Sequence, residues 1–134
     1  MVRYRSQSED LNIPSANNDW EPKEDPQFSD FQEFFKKSAF DGIVKITGES
    51  SAEAILYHIK FDENSRNFQA VHSGIEMMLG KSGATIVEKS IINEMLTRMK
   101  EKPPPILNMA NESFDFVKSV KYVRTIYSER ANRH

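Results

Sequence analysis

Residues 67–100 read NFQAVHSGIEMMLGKSGATIVEKSIINEMLTRMK, and the fold turns on this stretch. In its first half Phe68, Val71, Ile75, Met78 and Leu79 recur at the spacing that puts side chains on one helix face, and the pattern stops at Gly80. In its second half Val87, Ile91, Ile92, Met95, Leu96 and Met99 repeat that spacing on a wide arc. The pattern predicts helices over 67–79 and 84–100. Between them Gly80-Lys81-Ser82-Gly83 is a tight connector with glycines at the helix ends. Pro103-Pro104-Pro105 cannot continue the second helix and marks an extended spacer.

Upstream, Ala52, Ile55, Leu56 and Ile59 share a face and predict a helix over 51–60. Ser50 with Glu53 is a capping box for its start, and Gly48 suits a left-handed end to the helix before it. Asp62 to Arg66 is polar and reads as a loop. Phe28, Phe31, Phe34 and Phe35 fall on one face, with Ser29 and Gln32 as a capping box, and predict a helix from about residue 30. Ile43 to Thr47 has β-branched character, but no other segment offers a strand to pair with it, so helix is expected to continue to about residue 46.

Downstream of the prolines, Phe116, Val120, Val123 and Tyr127 form a narrow stripe on a helix over 113–129. The expected fold is all-α, a compact bundle of four to five helices with helices two to four at its centre. The last helix is expected either to fold back or to pair with a twin. Phe116, Val120, Val123 and Tyr127 are therefore the candidate partner interface, and a homodimer is expected after the proline spacer.

A chain of 134 residues buries roughly two thirds of the surface it exposes when unfolded, enough for one core without staples. It contains no cysteine, which excludes disulfide frameworks, thiolate metal sites and cysteine nucleophiles and agrees with a reducing compartment. No apolar run approaches the ~20 residues of a membrane helix, and residues 1–10 are too polar for a signal peptide. A cytoplasmic protein with no membrane partner is expected. The net charge of −2 is unevenly spread. Residues 1–35 hold eight acids against three bases, and residues 36–134 carry fifteen bases against twelve acids. Residues 1–27 are acidic and proline-bearing, with only Leu11, Ile13, Ala16 and Trp20 as apolar side chains from Ser6 to Gln27, and read as a largely disordered tail before a helical domain over 28–134.

Most constellations fail a test for chemistry. His58, His72 and His134 have no mutual spacing that lets two imidazoles share a helix face and one metal. His58 and His72 sit at the edges of apolar arcs, where a half-buried, satisfied imidazole is the ordinary reading. Gly80-Lys81-Ser82 imitates a phosphate loop, yet the required upstream glycine is Ile75. No serine has the strand-turn-helix setting of a nucleophile elbow. No catalytic residue, metal, cofactor or small-molecule substrate is expected. Glu88 stands apart, because it projects at the middle of an apolar arc. An unpaired buried carboxylate is costly, so the helix dipole and a Lys, His or backbone donor are expected to satisfy it.

These residues carry a family resemblance. Gly48-Glu49-Ser50-Ser51, Ala54-Ile55-Leu56-Tyr57-His58-Ile59, Phe68, Ile75, Leu79-Gly80, Gly83-Ala84 and Val87-Glu88-Lys89-Ser90-Ile91-Ile92-Asn93-Glu94 succeed one another in an order that resembles the Nitrosopumilus output domain family. The resemblance covers about residues 36–100. It implies a small archaeal helical domain, a noncatalytic output module of prokaryotic signalling, with no enzymatic activity. The chain departs from the pattern in a short loop at 62–66, in its acidic N-terminal segment and in the helix beyond the spacer over 106–134.

Two function classes stay open. The first is a noncatalytic interaction or output module of signalling or transcription regulation, binding a protein partner or itself. The second is a DNA-binding transcriptional regulator. For that reading Lys118, Lys121, Arg124 and Arg130, with Arg133 beyond them, are the candidate phosphate contacts and Tyr122 could stack on a base.

Overall fold

A computed structural model gives the structure of residues 26–132. The tail expected over 1–27 lies outside these described residues except for its last two, which belong to the first helix. Five α-helices occur, with no strand among the described residues: α1 (Pro26–Thr47), α2 (Glu49–His58), α3 (Phe61–Asn64), α4 (Phe68–Arg98) and α5 (Phe116–Asn132). A 3₁₀ turn occupies Pro105–Leu107. The expected all-α bundle is the observed fold.

The course of the chain is decided at Gly80. There φ is 77° and ψ 170°, outside any helical region, and α4 breaks into two arms, residues 68–79 and 81–98. In a continuous helix His72 and Glu88 would stand about 24 Å apart, yet their side chains meet at 2.6 Å across a separation of 16 residues. The chain therefore doubles back at this one glycine, a conformation costly for any residue with a Cβ. The expected four-residue connector shrinks to Gly80 alone, because Lys81 to Gly83 already belong to the second arm. Asn67 caps the first arm, its Oδ1 accepting the Ala70 N–H at 3.0 Å.

Helix α1 opens on Pro26, whose fixed φ suits a first helical position, so Ser29 lies inside the helix rather than at its cap. The β-branched Ile43 to Thr47 remains helical as expected, with Ile43 fully buried. Gly48 ends α1, accepting the turn at φ 91°, ψ 164° rather than in the left-handed helical region, and its N–H donates to Val44 O at 2.8 Å. The Ser50–Glu53 capping box does not form: Gly48 itself occupies the cap position of α2, which begins one residue before Ser50. The segment 62–66 is not wholly loop. Phe61 buries its ring 5.8 Å from Phe35, Lys60 turns left-handed at φ 54°, and the polar residues between close one helical turn, α3.

The core lies between α1 and both arms of α4, the largest interface in the fold. Phe31 and Phe35 of α1 pack edge-on against Phe68 at 6.5 and 5.3 Å. At the crossing, Gly42 backs onto Ile91 so closely that a Cβ would fall 2.8 Å from Ile91 Cα. Ser90 Oγ donates to Gly42 O at 2.7 Å across the contact. An ion network edges it: Lys45 meets Glu94 at 2.7 Å, Arg98 meets Glu94 at 3.2 Å, and Arg98 also pairs with Asp41. Lys45 and Arg98 hold the Glu94 carboxyl below its usual range.

Helix α5 begins at Phe116 rather than 113, where Asp115 Oδ1 accepts the Lys118 N–H at 3.0 Å. It folds back onto α4 and α1.

Gly42→Ala is expected to destabilise the domain by about 1–3 kcal/mol through overpacking of two backbones that cannot separate locally. In calorimetry this is a fall in Tm of roughly 5–15 °C for a domain of this size. An unchanged Tm would mean that the two backbones can part at this crossing.

Candidate functional site

The apolar stripe on α5, the candidate interface, is spent on the fold. Phe116, Val120 and Val123 are buried within the chain itself. Tyr127 packs its ring 5.5 Å from Phe31 and 5.1 Å from Phe34. The stripe faces α1 and α4 within its own chain; a heptad-like spacing shows that a helix needs a neighbour, not whose helix it is. Of the expected intermolecular interface, Phe116, Val120 and Val123 are corrected to core, and Tyr127 is half-buried against it.

Glu88 is where the apolar arc places it, 2% exposed in the second arm of α4. His72 Nδ1 lies 2.6 Å from Glu88 Oε2, and His72 Nε2 faces Glu76 Oε1 at 4.0 Å. The imidazole stacks on Phe116 at 6.5 Å. Burial raises the Glu88 carboxyl to about 7, against the lowering influence of His72, and the carboxylates of Glu76 and Asp115 push the same way as burial. The pair is half-open on its imidazole side only. His72 is thus the satisfied imidazole expected at the arc edge, whereas His58 is exposed.

The basic residues of α5 divide. Arg124 lies over the Phe68 ring at 5.7 Å, and Arg130 pairs with Glu101. Lys118 and Lys121 are exposed and have no carboxylate partner among the described residues. Arg133 lies outside the described residues. Lys118 and Lys121 rim a groove of about 340 Å³ between α5 and the 3₁₀ turn, floored by Ile106, Leu107 and Tyr122. Ile106 is 75% exposed there.

A second groove, about 660 Å³, opens between α1, α2 and α3. Phe40, Leu56, Tyr57 and Phe61 supply its apolar lining, and Glu53, Asp62 and Glu63 outnumber Lys60 among its charges. Tyr57 is 80% exposed on the side of α2 away from Ala52 and Ile55, which are buried. Reading a sequence for core faces passes over such a groove, because it looks for residues that fit the apolar arc. The signal is the misfit: Tyr57 is a large aromatic off the arc, and Phe61 stands alone at the margin of a polar run.

No group of three or more His, Asp or Glu side chains able to hold a metal occurs among the described residues. No helix there is long and apolar enough to cross a membrane. Comparison with protein-family models, curated proteins and solved structures finds no match.

The buried acid has a pH signature. Folded, Glu88 keeps its proton up to about pH 7; unfolded, it releases it near the ordinary 4.5. Between these values the folded state binds more protons, so stability falls as pH rises through the window, by up to roughly 3 kcal/mol. Glu88→Gln removes this slope. Its Tm relative to the parent protein should increase from pH 5 to about pH 7 and then level off, and a flat difference across that window would count against a protonated Glu88.

Proposed function

We propose that the chain is a noncatalytic interaction module whose partner surface is the apolar groove between α1, α2 and α3. The observation that supports this reading most directly is Tyr57, a large aromatic held 80% exposed on a rigid helix beside Phe40, Leu56 and Phe61. Aromatic groups at the surface cost solvation, and in a groove they are the usual anchors of recognition. An apolar groove flanked by helices fits an amphipathic helix laid along it. The excess of acid at the rim, Glu53, Asp62 and Glu63 against Lys60, favours a helix with basic flanks. A protein partner of this kind agrees with the archaeal output-module role implied by the resemblance over residues 36–100.

Catalysis has less support. Among the described residues the one group with a strongly shifted affinity for protons, Glu88, lies in the core, and neither groove includes it or His72. DNA binding is the second reading, favoured by the exposed pair Lys118 and Lys121 beside Tyr122. Two exposed lysines are few against the ~6–10 phosphate contacts of a duplex-binding surface, since Arg124 and Arg130 are engaged inside the chain.

Fluorescence anisotropy with a labelled amphipathic Leu/Lys helical peptide separates these readings. Binding is expected for the parent protein, at least tenfold weaker for Tyr57→Ser, as befits loss of one anchor of ~2 kcal/mol, and weaker for a Leu/Glu peptide. Equal binding by Tyr57→Ser sinks the groove assignment. A gel shift of duplex DNA at low salt that Lys118→Ala abolishes would support the second reading instead.

A further inference from the structure

Helix α4 is helical up to Leu79 and again from Lys81, so its reversal rests on the two dihedral angles of Gly80 alone. We infer that α4 opens at this residue and that the chain exchanges halves with a second copy of itself. In the resulting dimer, residues 26–79 of each copy pack on residues 81–132 of the other. The hinge, the contacts between the halves and the surface around the bend all point to it.

At φ 77°, ψ 170° Gly80 occupies a region that only glycine adopts freely, and helical angles at this one residue join the arms into a continuous helix of 31 residues. Nothing packs on the bend, since a Cβ at Gly80 would have no atom within 4 Å. The closed form is therefore held by contacts between the halves and not at the turn. A one-residue turn has no slack, and short hinges of this kind favour exchange.

The contacts that hold the halves together can be remade between copies. Gly42 against Ile91, Lys45 with Glu94, Phe35 beside Phe116 and Phe34 beside Tyr127 each join a residue before Gly80 to one after it. So does the buried pair, in which the second copy supplies His72 to Glu88. On a continuous α4 these two side chains point about 160° apart, at roughly 100° per residue. One chain then cannot bury both arcs, and two lobes form on opposite sides of the long helix, one at each end. Each lobe repeats the packing of the closed form, so the two states differ in the hinge and in the association of a second molecule.

The surface around the bend suits the meeting of two such helices. Of the six large apolar side chains exposed among the described residues, Met77, Met78 and Ile86 lie within six positions of Gly80. In the closed form they are open to solvent; where the two long helices pass at their hinges, they gain a neighbour. Each groove lies wholly within one half, 40–63 or 106–125, so exchange leaves both intact and the inference does not depend on what either binds.

The test uses the full chain. Equal amounts of unlabelled and isotope-labelled protein are unfolded together, refolded at ~1 mM, where mass action favours a dimer, and separated by size exclusion. In the isolated dimer a carbodiimide joins Lys45 to Glu94, which lie 2.7 Å apart. Exchange is expected to give cross-linked peptides that pair a labelled half with an unlabelled one, whereas a dimer of closed chains gives same-label pairs only. Gly80→Ala meets no atom and so acts through the backbone angles. Relief of two strained hinges should raise its dimer-to-monomer constant about 30-fold or more, with circular dichroism unchanged. Insertion of Gly-Ser-Gly after Gly80 supplies slack and should return the protein to a monomer, a readout that holds even where Gly80→Ala fails to fold. A parent protein that stays monomeric at ~1 mM, a folded Gly80→Ala that does not gain dimer, cross-links confined to same-label pairs, or a dimer that the insertion leaves unchanged would each overturn the inference.

Discussion

At Gly80 the backbone enters a region that only glycine occupies without strain, and the two apolar arcs of α4 come to face the same neighbour. On a straight helix of that length, the arc of Phe68, Val71 and Ile75 would lie far from that of Val87, Ile91 and Met95. No single partner helix could then bury both. Reversal stacks the arms, and α1 lies against them along most of its length. The close approach of Gly42 to Ile91 and the aromatic packing of Phe35 on Phe68 are consequences of this arrangement. Helix α5 then closes the remaining apolar side with Phe116, Val120 and Val123.

The reversal also explains how a carboxyl can lie in the core. Glu88 would be an uncompensated charge on an isolated arm, and burial alone pushes it toward neutrality. Doubling the chain brings His72 from the opposite arm to 2.6 Å, within hydrogen-bond reach of the carboxyl. The pair spans the hairpin, so it can exist only when the arms are correctly paired. Removing one partner leaves the other buried and unpaired, so the pair makes the correct stacking of the two arms a condition of burying Glu88.

Much of this is legible in periodicity. The breaks at Gly48 and Gly80, the helical continuation through Ile43 to Thr47 and the buried position of Glu88 come from side-chain spacing and from the lack of a second strand. The features that escape it have tertiary causes. A polar run becomes α3 because Phe61 needs burial against Phe35. The Ser50–Glu53 box loses to a cap at Gly48, since α2 starts where α1 releases the chain. The proton partner of Glu88 lies 16 residues away, beyond any local pattern, and spacing can name it only by residue type.

The α5 stripe marks the limit of periodicity and the point at which function separates from folding. Its spacing demands an apolar neighbour, and both its own chain and a twin meet that demand on paper. Folding back wins here because the α1 and α4 faces it covers, Phe31, Phe34 and Phe68 among them, would otherwise lie open, and an intramolecular neighbour needs no second molecule to be ordered. Once the stripe is spent, recognition must use surfaces that folding does not require. Two such surfaces among the described residues are grooves of opposite charge, one around Tyr57 and one around Lys118 and Lys121. A near-neutral chain thus presents two separate electrostatic faces. The acidic residues that would balance the basic face lie in the segment preceding α1, which makes the overall charge a poor guide to what either face can bind.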